Sequence, residues 1–180
     1  MAKQPGKGGG RRIVAEYGRW FEDFAVGDSY EHRPGRTVTE ADNIWFSTLT
    51  MNLNPLHIDS AFMGRTEFGR PLMNSALTLA IVTGLSVRDT SGHAVANLGW
   101  DKVRLVAPVF AGDTLYAESE VLEVRPSRSR PGQGIVRIRS TGVKADGTVF
   151  MTFERAFLVP RRGQGPTDGP AQSAPVAPDQ

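Results

Sequence analysis

From Pro71 to Val87 the chain carries Leu72, Met73, Ala76, Leu77, Leu79, Ala80, Ile81, Val82 and Leu85. At 3.6 residues per turn these cover nearly every side of a cylinder, and a helix apolar all round has to be buried. Pro71 suits a first helical turn, where its missing N–H costs nothing. The spacing therefore predicts a helix over 71–87. Its most apolar part, Leu77 to Val87, is about eleven residues long, against the ~20 that a bilayer span requires. Other segments of the chain must wrap it.

The wrapping material follows in sequence. Residues 94–109, 114–124, 134–144 and 149–159 are rich in Val, Ile, Phe and Tyr with period-two patches, and they read as strands. Ala111-Gly112-Asp113-Thr114 and Ala145-Asp146-Gly147-Thr148 are turn signals, the second through its Asp-Gly pair. Ser29 to Val38 reads as an earlier strand. Thr39 and Asp42 resemble a capping box opening a helix, with Ala41, Ile44, Trp45, Thr48 and Leu49 on its buried face. Pro55 stops that helix, and Ile58 to Met63 reads as a short second one. The class is α+β: a curved antiparallel sheet wrapped around a central apolar helix.

Among 180 residues there is no cysteine. Disulfides, thiolate nucleophiles and sulfur-ligated zinc are excluded, which fits a cytoplasmic protein. The ends differ from the middle. Residues 1–12 carry four cations and no acid, and residues 161–180 carry four prolines and three glycines. Neither end has the apolar content to offset chain entropy. Both are expected to be disordered tails around one domain over 13–160. The net charge of +2 owes everything to residues 1–12, so residues 13–160 are slightly acidic at −2. A nucleic-acid-binding face needs clustered Lys and Arg on the folded part, and none is expected here. The N-terminal run lacks the apolar stretch of a secretion signal, and no membrane partner is expected.

The chemistry has few places to reside. The three histidines are His32, His57 and His93, none at metal-ligand spacing, and no His-Glu-x-x-His or Gly-x-Ser-x-Gly run exists. No metal is expected. His57 lies in Asn52-Leu53-Asn54-Pro55-Leu56-His57-Ile58-Asp59, between the first helix and the apolar one. A histidine there can exchange protons near neutral pH or simply bond a loop carbonyl.

Asn54-Pro55-Leu56-His57-Ile58-Asp59 resembles the signature of the MaoC-like, (R)-specific enoyl-CoA hydratases, which have the hot-dog fold. Arg70-Pro71-Leu72-Met73-Asn74-Ser75 stands where those enzymes carry Arg-Pro-Ile-Val-His-Gly at the start of the central helix. Gly27-Asp28, Thr37 to Asp42 and Pro108 to Leu115 are further landmarks, and the likeness covers about residues 20–160. It implies reversible hydration of the double bond of an acyl-CoA thioester, with no cofactor beyond the coenzyme A of the substrate. His57 would be the acid/base, and the Ser75 N–H would donate to the thioester oxygen, helped by the helix dipole.

One position departs from the pattern. The family's catalytic Asp falls on Asn52, five residues before His57, and an amide cannot serve as a base, although it can hold a water. Three readings stay open. His57 alone carries the proton, with Asn52 and Asn74 orienting water or substrate; Asp59 substitutes for the missing Asp, unless it caps a helix; or hydratase activity is lost. A smaller branch of the family shares Thr50-Met51-Asn52-Leu53-Asn54-Pro55-Leu56-His57 and Arg70-Pro71-Leu72-Met73-Asn74-Ser75, and that branch is similar to mesaconyl-CoA (β-methylmalyl-CoA) and itaconyl-CoA hydratases.

Such substrates carry a free carboxylate, which wants a cation. Arg65, Arg70, Arg33 and Arg36 are the candidates, and Asn54 and Asn74 complete the substrate-binding set. Trp45, Phe46 and Phe68 are expected in the core or pocket wall. Trp100 is expected in packing, and His93 and the loop arginines 125, 128 and 130 in exposed loops. An open sheet edge and the resemblance together imply a homodimer or higher homo-oligomer. The rivals are a hot-dog thioesterase, an inactive acyl-CoA-binding subunit and a dehydratase of carrier-bound acyl groups.

Overall fold

The computed structural model describes residues 17–165. The expectations for 1–12 and 166–180 lie outside the described residues. After a 3-10 turn at Phe21–Asp23 come strand β1 (Ser29–Thr37), helices α1 (Glu40–Leu49), α2 (Pro55–Ile58), α3 (Ser60–Met63) and α4 (Ser75–Val87), and strands β2 (Ala96–Leu105), β3 (Thr114–Pro126), β4 (Gln133–Lys144) and β5 (Val149–Pro160). The five strands form one antiparallel sheet in the order β1-β3-β4-β5-β2. The Asp146 turn joins β4 and β5 as a hairpin, and Asp146 accepts from the Thr148 N–H at 2.9 Å. The chain also turns at Asp113, but not as one of the successive hairpins expected, because β2 pairs with β5 and the turn carries the chain across to β3, which lies between β1 and β4.

Helix α4 lies against β3, β1 and β4. Its Leu77, Ile81 and Val82 pack with Val38, Leu115, Ala117, Phe150, Met151 and Phe153 in the main core. Burying each such side chain contributes ~2 kcal/mol. A second cluster sits under the 3-10 turn, where Phe21 and Phe24 cover Val121, Val136, Ile138 and Phe157.

Several expectations need correction. Helix α4 begins at Ser75, not Pro71, because Leu72 bridges to Phe110 and the Met73 N–H donates to the Val109 carbonyl. Those bonds hold 71–74 extended. The helix is also not buried all round: Ala76, Ala80 and Gly84 form an exposed stripe, since the sheet covers only the opposite side. The expected second helix is two separate turns, broken at Asp59, whose Oδ1 caps α3 by accepting from the Phe62 N–H at 2.8 Å. Arg161 and Arg162, assigned to a disordered tail, close onto Glu22 and Asp23.

The capping box of α1 forms as read. Thr39 Oγ1 accepts from the Asp42 N–H, and Asp42 Oδ2 accepts from the Thr39 N–H at 2.8 Å. The buried face is the reverse of the one expected. Asn43 and Ser47 are buried, whereas Trp45 is 76% exposed and Leu49 80%. The polar face of α1 docks on the site segments, which offer backbone groups rather than apolar surface.

Candidate active site

Helix α1 ends where Thr50 Oγ1 turns back to the Phe46 carbonyl at 2.8 Å. Met51 then takes a φ of 57°, in the left-handed region that reverses the chain after a helix. Three residues on, Asn54 Oδ1 accepts from the Leu56 N–H at 3.1 Å, and Pro55 fills the first position of α2. This single turn presents His57, whose Nδ1 lies 2.9 Å from the Leu72 carbonyl oxygen. A carbonyl only accepts, so Nδ1 carries the proton and Nε2 is the nitrogen able to take another.

The extended segment before α4 completes the arrangement. The Leu72 N–H donates to the Leu56 carbonyl at 2.9 Å. Asn74 caps α4, its Oδ1 accepting from the Ala76 N–H at 3.0 Å, while its Nδ2 donates to Ser47 Oγ at 3.2 Å. The Ser75 N–H stands in the first turn, where an α-helix has no internal acceptor to offer. Asn43 joins these pieces. Its Nδ2 donates to the His57 carbonyl at 2.8 Å and the Leu72 carbonyl at 3.0 Å, and its Oδ1 accepts from the Asn74 N–H at 2.8 Å.

His57 and Ser75 line a cavity of about 360 Å³ with Phe68, Leu72, Met73 and Thr78. Leu105 to Val109 and Phe150 form its other wall. The size suits a small ligand, and the lining is mostly apolar with a few convergent polar groups. Gly142 sets the position of Phe150, because a Cβ there would stand 2.5 Å from the ring. A smaller cavity of about 90 Å³ lies beside it, lined by Glu40, Asn43, Ser60 and Arg70, and sharing His57 and Met73.

The other candidates fall in various places. Asn52 lines neither cavity, and its Oδ1 faces the Asn54 N–H of its own loop at 3.4 Å. Asn54 is a helix cap. Arg36 is held by Asp42, Arg33 lies over the Tyr116 ring and Arg65 over the Phe62 ring. Arg70 is the member of the set beside His57, with its guanidinium 4.2 Å from the Phe110 ring centroid. Phe68 forms pocket wall and Phe46 packs on the core, as expected, while Trp45 does neither. His93 is half-buried rather than exposed, stacked on Trp20 at 4.1 Å. Among the described residues no group of three or more His, Cys, Asp or Glu could hold a metal ion.

A second histidine has the geometry of a hydrolytic triad. His32 Nδ1 lies 2.9 Å from Asp89 Oδ2, and its Nε2 lies 2.9 Å from Ser119 Oγ. Ser119 is 4% exposed, and its hydroxyl is held between His32 and Ser140. Those partners tie the β1, β3 and β4 strands together inside the core. With its hydroxyl buried and bonded on both sides, Ser119 serves this network as a structural link.

Two residues at the site left little trace in the sequence. An asparagine inside an amphipathic helix reads as solvent-facing, which hid Asn43. Thr78 stands within an apolar run, where a lone threonine reads as packing.

The fold is the hot-dog fold. A solved Mycobacterium tuberculosis protein described as having a double hot-dog fold superposes with a TM-score of 0.74 at 25% identity, over 80% of this chain and 44% of that one. A putative MaoC domain protein dehydratase from Chloroflexus aurantiacus does so with a TM-score of 0.79 at 32% identity, over 93% of this chain and 46% of that one. The family model for mesaconyl-CoA hydratase matches residues 10–179, and the chain belongs to that family. The mesaconyl-CoA hydratase of Haloarcula marismortui is 32% identical over 94% of this chain and 49% of its own length. The chain thus spans about half the length of these relatives. Among the described residues no helix is long and apolar enough to cross a membrane.

Proposed function

We propose that this protein catalyses the reversible hydration of an enoyl-CoA thioester, with a short branched dicarboxylic acyl group such as mesaconyl or itaconyl. The observation that carries this reading is one tautomerically committed histidine sharing a mostly apolar cavity with the start of a helix. Water gives a proton to His57 Nε2 while its oxygen bonds to the β-carbon of the double bond. The electron pair moves through the α-carbon onto the thioester oxygen, where the Ser75 N–H meets the developing charge. The imidazolium then returns the proton to the α-carbon, and dehydration reverses each step. No cofactor is required.

Support for a substrate carboxylate comes from Arg70, the guanidinium lining the small cavity that shares His57. Charge-assisted pairing would offset the desolvation of that carboxylate. The family name points to the same acyl class. Cysteine-free composition supports a cytoplasmic setting.

We infer that the working unit is a pair of copies. The edge strand β2 exposes Leu98 and Trp100, and α1 exposes Ile44, Trp45 and Leu49. Leu105 and Val106 are exposed too, yet they line the cavity. An open edge beside so much apolar surface favours a partner of the same fold. Light scattering on the purified chain tests this: twice the chain mass supports the pair, and a stable monomer contradicts it.

The activity is tested by incubation with mesaconyl-CoA in ¹⁸O-water. A hydratase puts the heavy oxygen into an intact acyl-CoA. A thioesterase puts it into a free acid and releases thiol, which would overturn the proposal.

A further inference from the structure

We propose that Asn43 is the positioning residue of this site: its one side-chain amide holds the acid/base His57 and the start of α4 in fixed relation. The inference rests on the hydratase reading above and assigns a role to a residue that makes no part of the chemistry.

This amide makes three hydrogen bonds of 2.8–3.0 Å, one to the His57 turn and two to the extended segment that leads into α4. One proton goes to the His57 carbonyl on α2 and the other to the Leu72 carbonyl in the extended segment. The oxygen takes the Asn74 N–H, one residue before the Ser75 amide. Both donor protons are thus used, at a residue 3% exposed. The Leu72 carbonyl is the oxygen that His57 Nδ1–H also meets, so Asn43 braces the group that sets the His57 tautomer. Bonds buried in this way are electrostatically stronger than in water. Reacting groups tolerate little displacement, since a shift of ~1 Å costs ~10²-fold in rate.

Chemistry also explains why the residue is an amide. An aspartate of the same shape could still accept from the Asn74 N–H. Its second oxygen would then face two carbonyl oxygens with no proton between them. Protonated, it could satisfy only one of the two. Only an amide supplies two donors and an acceptor here at this size.

The test compares Asn43→Asp and Asn43→Ala with wild type in two measurements. The first is steady-state hydration of the best enoyl-CoA substrate. The expected result is a kcat about 10²-fold lower with KM changed much less, because the bond set aligns the reacting groups rather than gripping the substrate. The second is the ¹⁵N resonances of the His57 ring in ligand-free protein, assigned with His57→Ala. Wild type should show one tautomer, protonated at Nδ1, and the Asn43 variants a mixture. A Ser47→Ala control, one turn along the same buried face, should keep the single tautomer.

Wild-type kcat with a single His57 tautomer in both Asn43 variants would overturn the proposal. If neither variant folds, hydrogen exchange in wild type decides. The Asn43 amide protons should resist exchange, and rapid exchange would overturn the proposal. The ring measurement needs no substrate. A wild type without hydratase activity but with Asn43-dependent tautomerism would therefore overturn the reaction and leave the positioning role standing.

Discussion

The Nδ1–H of His57 donates to the carbonyl oxygen of Leu72 across 2.9 Å. That bond joins a single helical turn to the extended segment preceding the central helix. It fixes which ring nitrogen is basic, and it places that histidine beside the first amides of α4. A proton acceptor and an oxyanion donor thereby share one cavity, although they come from residues 18 apart in the chain.

Replacing His57 by Ala should lower kcat for hydration by at least ~10²-fold, the usual contribution of a single acid/base group. The half-buried ring makes one bond, to Leu72. The melting temperature should therefore change little while activity collapses, and paired thermal and kinetic measurements separate the two. Asn52→Ala should cost less than ~10-fold by the same comparison, because that side chain lines neither cavity.

Arg70→Gln should act on selectivity. A charge-assisted pair is worth about 1.5–3 kcal/mol. The ratio of kcat/KM for mesaconyl-CoA over crotonyl-CoA should fall by about 10-fold or more, with crotonyl-CoA hardly affected. An unchanged ratio would remove Arg70 from the substrate site.

Asn74→Ala should destabilise the fold by about 1 kcal/mol through loss of the α4 cap, and by more if the Ser47 bond contributes. Asn74→Ser, which can still cap, should recover most of that. Urea unfolding at fixed pH measures both.

His32 gives the fold a pH dependence. Burial holds its imidazole below the usual histidine range, against the pull of Asp89. The unfolded chain therefore binds a proton at a higher pH than the folded chain does. The stability from neutral His32 is complete above about pH 6.5 and is lost as the pH falls below that value. The urea midpoint should drop between about pH 7 and about pH 5.5, and His32→Gln should flatten that slope while lowering the midpoint throughout.

Much of this architecture can be read from residue patterns. The hairpin at Asp146, the turn at Asp113, the Thr39–Asp42 capping box and the body of the apolar helix rest on local chemistry, and each forms where its residues stand. Long-range bonding decided the rest. Pro71 looks like a helix start, yet Leu72 and Met73 find strand partners at Phe110 and Val109. The amphipathic pattern of α1 chose the wrong inner face, because Asn43 bonds the backbone of His57, Leu72 and Asn74, and Ser47 accepts from the Asn74 side-chain amide. The apolar face that remains exposed is a reason to expect a second copy. His57, Ser75 and Arg70 could be picked out from motif positions, and the structure brings all three to the paired cavities. Arg36 could not be separated from them by sequence, since its capture by Asp42 depends on how β1 meets α1.

Hydration by His57 is decided by following one mesaconyl-CoA sample with two readouts, the absorbance of the conjugated enoyl thioester and free thiol. Loss of absorbance without thiol, abolished in His57→Ala, is the predicted result. Thiol release, or loss of absorbance that survives His57→Ala, would rule out hydration driven by His57.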